Sequence, residues 1–542
     1  MKVLMVAAEN DAIEGAKVGG MADVIRDAPL ALAEQGHQVS VIIPDYGDYA
    51  QYYPARQIAC FSLSFAGNIE HVTLTELELP QLKSDKKSTK NQQGCVRQMV
   101  ISHNMFTEQG IGRVYFDDES SRPFASDASK YALFNAAVLE AITQNHIARP
   151  DVLHLHDWHS ALITVLIEYA SRYQALRSIT SVFTVHNLAL QGIRPLQGDE
   201  SSLEAWFGSL SYDGQVICDP RYPHCINPMR AAINLADKVH LVSPTYAQEV
   251  LLASEHSQGI YGGEGLEQDL QNACNEQRLV GILNGCQYDS LGNDNVVSPE
   301  QLLTTAKHEL LTWIARSEQL SSSHYIASQR VISWLEQNKI TNDTSVINTG
   351  PLVTSVGRLT DQKMLLLRKD QTVAGNVSLL SRLLVTLAQA NGRLIILSSG
   401  DRQIALELTQ LMAQHDNFLF LNGYGQALSD VIYQSGDLFL MPSSFEPCGI
   451  SQMLALRAGQ PCLVHAVGGL KDTVQHLENG FCFTGNSIAE QQEQLSMVFS
   501  QAIDLFQQDN STWQQLVTCA KQSRFSWDES VARYVRDLYQ SQ

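Results

Sequence analysis

The sequence lacks any run of 18 apolar residues, so no segment is expected to cross a membrane as a helix. It lacks a basic tail, and its 57 acidic against 37 basic side chains leave a formal charge of −20. That balance argues against nucleic acid or an anionic membrane as the main partner. Its ten cysteines include no C-x-x-C and no paired spacing, which fits reduced thiols in a cytosol rather than a disulfide framework. The opening MKVLMVAAEN is too short and too soon acidic for a signal peptide, so a cytoplasmic protein is expected. Charged residues make up only 17%, whereas 44% are hydrophobic. At 542 residues the chain has room for two to four domains, each able to bury a core.

What the chain does contain is an alternation of short apolar runs and amphipathic stretches. Residues 3–8 read as a strand, and Met21, Val24, Ile25, Ala28 and Leu32 as one face of a helix closed by Gly36, with Pro29 expected to kink it. QVSVIIP (38–44) follows as the next strand. Further strands are expected at 151–156 and 181–185, within 238–246 ending at Ser243-Pro244, and within 279–285 ending at Asn284-Gly285. Others follow at 352–357, within 393–401 up to a Gly-Asp turn, within 417–425 up to Gly423-Tyr424, and at 437–441 and 460–469. Such alternation implies an α/β fold with parallel sheets covered on both faces. Between the two series the pattern weakens, and residues 286–350 read as a passage between domains around a helical stretch at 300–336. The lysine-rich loop at 81–95 reads as a solvated excursion. Residues 525–539 form an amphipathic helix with Ser526 as its N-cap. No internal repeat is visible.

Chemistry-bearing residues cluster at the carboxyl ends of the expected strands, where ligands bind in open α/β sheets. After 437–441 come Glu446, Pro447, Cys448 and Gly449, and Gly449 to Ser451 open a helix whose free N–H groups suit a phosphate. Cys448 can serve there as a nucleophile or simply pack. Lys17 precedes the pair Gly19-Gly20, which lets the backbone approach a ligand, although the loop is not a G-x-G-x-x-G dinucleotide fingerprint. His154, His156 and His159 invite a metal reading, but Asp157 follows the second histidine instead of preceding the third. A strand-end Asp157-Trp158 better suits a sugar, by stacking and by accepting hydroxyl hydrogens. His186 and Asn187 stand at the end of another strand and can meet sugar hydroxyls or be structural.

The stretches KVGGMADV, HLHDWHS, FTVHNLALQG, VSPTYAQEV, ILNG, GRLTDQK, NGYG, FEPCG, GGLKDTV and FSWDESVARY, in this order, resemble the bacterial glycogen synthases and plant starch synthases. These are retaining glucosyltransferases of the GT-B architecture, and FEPCG, FTVHNLA-x-QG and RLT-x-QK together make the resemblance specific. It implies two Rossmann-like domains facing a deep cleft, at 1–285 and 351–524, with a C-terminal helix (525–542) crossing back to the first. ADP-glucose and an α-1,4-glucan are the implied substrates, with no metal or other cofactor. Carried over by position, the resemblance gives catalytic parts to His186, Arg358, Lys363 and Glu446. Arg358 and Lys363 would neutralise the diphosphate, and Glu446 would hold glucose hydroxyls. Lys17, Gly19, Gly20 and Asp23 would border the first domain's side of the site. Asp157, Trp158, Asn187, Asn284 and Gln362 would line the glucose pocket, Gly423 and Tyr424 would border the adenosine, and Cys448, Gly449 and Ser451 would complete the loop.

The chain also departs from the family's wording. The usual NGID reads Asn284-Gly285-Cys286-Gln287, QKG reads Gln362-Lys363-Met364, and the arginine before FEPCG is Ser444. The threonine after CGL is Ser451, and a carboxylate common in relatives eight residues after Glu446 is Leu454. The expected activity is glucosyl transfer. A glucan-binding relative without turnover, a UDP-glucose enzyme, a pyridoxal-phosphate phosphorylase and a zinc hydrolase are the alternatives. Oligomeric state and regulation are not legible.

Overall fold

In a computed structural model, which describes residues 1–80, 95–208, 210–288, 297–317, 320–342, 350–373 and 377–540, the apolar run KVLMV forms the first strand (β1, Lys2–Val6). The lysine-rich loop expected at 81–95 lies, apart from Cys95, outside the described residues. Contacts divide the chain into two units. The first holds Met1–Ser254, Gly262–Asp289 and Ser526–Gln542; the second holds Glu255–Tyr261 and Ser290–Phe525.

The first unit continues with β2 (Gln38–Pro44), β3 (Ala55–Phe65), β4 (Asn68–Leu77), β5 (Arg97–Ser102), β6 (Val152–His156) and β7 (Thr180–Val185). A two-stranded ladder, β8 (Arg194–Pro195) with β9 (Cys225–Ile226), precedes β10 (Lys238–Leu241) and β11 (Leu279–Gly281). The main sheet runs β11-β10-β7-β6-β1-β2-β5-β4-β3. It is parallel from β11 to β5. β4 and β3 add an antiparallel edge that the sequence reading did not include. Its signal is present: Phe61, Leu63 and Phe65 are buried and alternate with exposed Ser62 and Ser64. The hairpin turn rests on Ala66 and Gly67, both at positive φ (50° and 76°).

The helix Gly20–Glu34 follows β1 and continues through Pro29. Gly36, at φ 89°, turns the chain into β2. Because β1 is flanked by β2 on one side and β6 on the other, the loops after β1 and β6 diverge at a topological switch point, the place where open α/β sheets bind ligands. The C-terminal helix Trp527–Arg533 belongs to this unit, as expected. Ser526 caps it by accepting from Glu529 N, with the glutamate three residues on as in a capping box. Ser530 Oγ then donates to Leu283 O at 2.7 Å, and Gln35 donates to Asp528 O at 3.0 Å.

The second unit's sheet comprises β12 (Leu352–Leu359), β13 (Arg393–Gly400), β14 (Phe418–Asn422), β15 (Leu438–Met441), β16 (Cys462–His465) and β17 (Gly480–Phe483). Their order, β14-β13-β12-β15-β16-β17, is wholly parallel. This is the doubly wound arrangement, with its switch point between β12 and β15. Within the stretch read as a passage, helices Pro299–Arg316 and Ser322–Asn342 belong to the second unit's core. Leu303, Ala306, Leu310, Ala327, Val331 and Trp334 pack there, and Trp334 Nε1 donates to Asp416 O at 3.1 Å.

Candidate functional site

At the second unit's switch point, the loop after β12 and the loop after β15 are stitched together. Ser444 N donates to Gln362 O at 2.8 Å, and Gln362 Nε2 donates to Phe445 O at 2.9 Å. The Lys363 ammonium, on the short helix Asp361–Met364, is ion-paired with the Glu446 carboxylate, and both side chains are largely buried. The Phe445 ring lies 4.4 Å from that of Tyr261, a residue of the segment that leaves the first unit's sequence to join the second. Arg358, at the end of β12, is exposed and makes no ion pair among the described residues.

Beyond Glu446 the chain turns at Gly449 (φ 78°) into the helix Ser451–Ala458, whose N-terminus no side chain caps. Its first-turn N–H groups have no intrahelical acceptors. Gly469 closes this loop from beyond: a Cβ there would stand 2.2 Å from Cys448 O, and its N–H donates to Glu446 O at 3.1 Å. Cys448 itself is buried at 5% exposure, which favours packing over a nucleophile's role. Met364, replacing the family's glycine, is buried in the core, and Leu454 packs against the neighbouring cluster. Gly423 lies under Trp313, whose ring atoms would stand 2.7 Å from a Cβ. Tyr424 is exposed and donates to Gln426 Oε1 at 2.6 Å.

The first unit's switch point is furnished differently. Glu9, buried at the end of β1, accepts from Val18 N and Gly19 N, both at 2.6 Å, and from Tyr115 Oη at 2.5 Å. Two amides of the loop expected to approach a ligand are therefore already taken by a carboxylate. A Cβ at Gly19 would stand 3.5 Å from Glu9 Oε1, an ordinary contact, so the carboxylate's hold on the loop does not itself demand glycine there. Lys17 is held between Asp23 (2.7 Å) and Asp11 (3.2 Å). Burial raises the Asp23 pKa against the pull of Lys17 and Arg26. Arg26 also pairs with Asp11 and Asp27. Gln287 Nε2 donates to Asp27 Oδ1 at 2.6 Å; the aspartate the family usually carries at this position would face Asp27 as a like charge. Gly20 opens the helix, and nothing stands within 4 Å of where its Cβ would be. Asn284 is buried, and its Oδ1 meets no partner among the described residues.

Asp157, directly after β6, has φ 54° and ψ −177°, a conformation that side chains other than glycine's rarely allow. Its carboxylate accepts the His186 N–H at 2.7 Å. Burial pushes its pKa up to about 7, against the opposing pull of the His186 and Asn187 N–H groups. A strained residue thus fixes the loop after β7. Asn187 Oδ1 accepts from Ala189 N at 2.9 Å, a turn within the same loop. Trp158 is not available as the stacking face expected for it. It is 5% exposed, Tyr131 meets it edge-on at 5.5 Å, and Gly192 (φ 70°) is so close that a Cβ would stand 2.3 Å from the ring.

Nor do the three histidines gather around one point. Among the described residues no three His, Cys, Asp or Glu side chains form a ligand set. Instead His154 belongs to a buried relay whose direction one carbonyl dictates. His240 Nε2 donates to Ile282 O at 3.1 Å, so its Nδ1 accepts from Thr184 Oγ1 at 2.9 Å. The Thr184 oxygen then accepts from His154 Nε2 at 2.6 Å, and His154 Nδ1 accepts from Tyr539 Oη at 2.7 Å. Burial lowers the pKa of both imidazoles, His240 to about 4, so each is neutral and the donors all point one way. The relay ties the C-terminal segment to three strands of the first sheet. A polar recess of about 490 Å³ near Asp45, Glu70, His71 and His103 contains none of the residues above.

Two doubly wound units, each with polar groups at its switch point, fit the architecture of the GT-B glycosyltransferases. The solved structures agree. The catalytic domain of starch synthase IV from Arabidopsis thaliana, bound to ADP and acarbose, matches with a TM-score of 0.71 and 26% identity, over 99% of this chain and 98% of that one. Sucrose-phosphate synthase from Thermosynechococcus elongatus shares the fold at a TM-score of 0.51 and 14% identity, over 99% of each chain. Within that class the chain belongs to the glycogen synthase and starch synthase family. The family model for the starch synthase catalytic domain matches residues 2–272, and that for glycosyl transferases group 1 matches residues 337–508. The glycogen synthase of Desulfitobacterium hafniense is 31% identical over 553 residues, covering 100% of this chain and 99% of that one. The glycogen synthase of Streptococcus equi subsp. equi is also 31% identical, over 100% of each.

Proposed function

We propose that this protein is an ADP-glucose:α-1,4-glucan 4-α-glucosyltransferase, adding glucose to the non-reducing end of a glucan with retention of configuration. The observation that carries the reading is the cationic switch point of the second unit, where Arg358, with no ion pair among the described residues, the Lys363–Glu446 pair and a helix N-terminus without a side-chain cap occur together. The ADP and acarbose bound to the starch synthase IV neighbour support a nucleotide donor and a glucan acceptor. Transfer from a nucleoside diphosphate sugar builds negative charge on the leaving diphosphate and positive charge on the sugar. Arg358, Lys363 and the helix N–H groups stabilise the former, each well-aimed donor supplying on the order of 3 kcal/mol. These groups bring the charge that a metal ion would otherwise supply.

Glu446, neutralised by Lys363, holds glucose hydroxyls. In the first unit, His186, Asn187 and Asn284 address the sugar, and the His186 carbonyl steadies the oxocarbenium. The departing phosphate takes the acceptor's proton in a front-face displacement. The cysteines among the described residues form no disulfide, which supports a cytoplasmic setting. The test is incorporation of carbon-14 glucose from ADP-glucose into glycogen, with unlabelled UDP-glucose as competitor. Incorporation that UDP-glucose leaves intact is expected; none from ADP-glucose would overturn the reading.

A further inference from the structure

His156 has no part in the reaction as proposed above. It is buried on β6, its ring stacks on that of His154 at 4.4 Å, and its Nδ1 is 3.0 Å from His186 Nε2. Its other nitrogen, Nε2, is buried and meets no hydrogen-bond partner among the described residues. Both rings are neutral, because burial lowers the pKa of each. One proton therefore serves the bond between them, and two arrangements are open.

If His186 Nε2–H donated, His156 would have to carry its own proton on Nε2, a buried N–H with no acceptor. If His156 Nδ1–H donates, the unanswered atom is a bare lone pair. Orphaned buried N–H groups are the rarer fault in protein interiors, where a donor left without an acceptor forfeits its full hydration. The second arrangement follows, and it leaves the His186 proton on Nδ1. His186 is half-buried, and that nitrogen has no partner among the described residues. Asp157 meanwhile holds the His186 backbone N–H at 2.7 Å, so residue 186 is fixed at both main chain and ring.

We infer that His156 is a positioning residue: it holds His186 in the Nδ1–H tautomer, so that the imidazole presents a donor, and not a lone pair, to a neutral sugar hydroxyl. The sugar as recipient rests on the proposed function; the tautomer does not.

Nitrogen NMR of the full chain labelled with 15N-histidine tests the tautomer directly, with the His186 signals identified by their loss in His186→Asn. A protonated Nδ1 and a bare Nε2 on His186 are expected, and a protonated Nε2 would overturn the inference. Two variants test the consequence. His156→Asn keeps an N–H donor at the place of Nδ1, whereas His156→Phe removes it. With thermal midpoints matched to the wild type, His156→Phe is expected to lose about tenfold to a hundredfold in kcat, with a smaller change in KM. His156→Asn should recover most of that loss. Equal turnover of the two folded variants would overturn the positioning role. A wild type that transfers no glucose yet shows the Nδ1–H tautomer would overturn the proposed function and leave the tautomer standing.

Discussion

At the second unit's switch point, positive charge is available: Arg358 makes no ion pair among the described residues, Lys363 answers a single carboxylate, and a helix N-terminus stands uncapped. At the first unit's switch point the charge is already answered. Lys17 lies between two aspartates, Glu9 occupies the loop amides, and the histidines are neutral. One sheet plan thus carries two kinds of polar surface. The second suits a diphosphate, whose charge needs cations in excess of the carboxylates beside them; the first suits an uncharged sugar, which needs fixed donors and acceptors and no spare cation.

The comparison breaks most visibly in turnover. Lys363→Ala and Glu446→Ala should each lower kcat for glucosyl transfer at least about a hundredfold. Lys17→Ala should lower it at least about tenfold less, because its ammonium is held in the ground state by Asp11 and Asp23. Steady-state kinetics on the three variants checks the order.

Acid should separate the units next. His154, His156, His159, His186 and His240 of the first unit all have pKa values lowered chiefly by burial, His186 to about 3 and His240 to about 4. The unfolded chain binds protons on these rings below about pH 6.5 while the folded unit does not. The stabilisation from their neutral burial is therefore complete above that pH and lost as pH falls toward 3. Each contributes at most about 1.4 kcal/mol per pH unit in that window. Hydrogen exchange between pH 7 and 5 should show first-unit amides losing protection before those of the second unit, and His186→Asn should soften the dependence.

Packing gives smaller effects. Gly192→Ala forces a side chain onto a left-handed backbone and against the Trp158 ring, at a cost of about 2–4 kcal/mol in denaturant unfolding. Tyr539→Phe removes the first donor of the relay and leaves the His154 Nδ1 lone pair unanswered. It should cost about 1–2 kcal/mol, read as a lowered thermal midpoint.

Local pattern made the strands and their loop ends legible. The FEPCG loop sits between β15 and the Ser451 helix, as its apolar run and following helix formers indicate. The same logic, an acid directly after a buried strand, would have found Glu9, but its work is to hold its own loop rather than a ligand. The helical stretch read at 300–336 is present as two helices; that they pack into the second unit's core was also within reach, since Ala327, Val331 and Trp334 recur at helical spacing. What no single stretch can show is the meeting of distant ones. Gly192 over Trp158, Gln287 on Asp27 and His156 against His186 are tertiary contacts, and each changes what a residue is free to do.

The most direct measurement is the affinity of the full chain for ADP by titration calorimetry. If the second unit supplies the charge, Arg358→Ala with Lys363→Ala should weaken binding about a hundredfold or more. Lys17→Ala should then weaken it far less. Equal losses in the double variant and in Lys17→Ala would contradict the account.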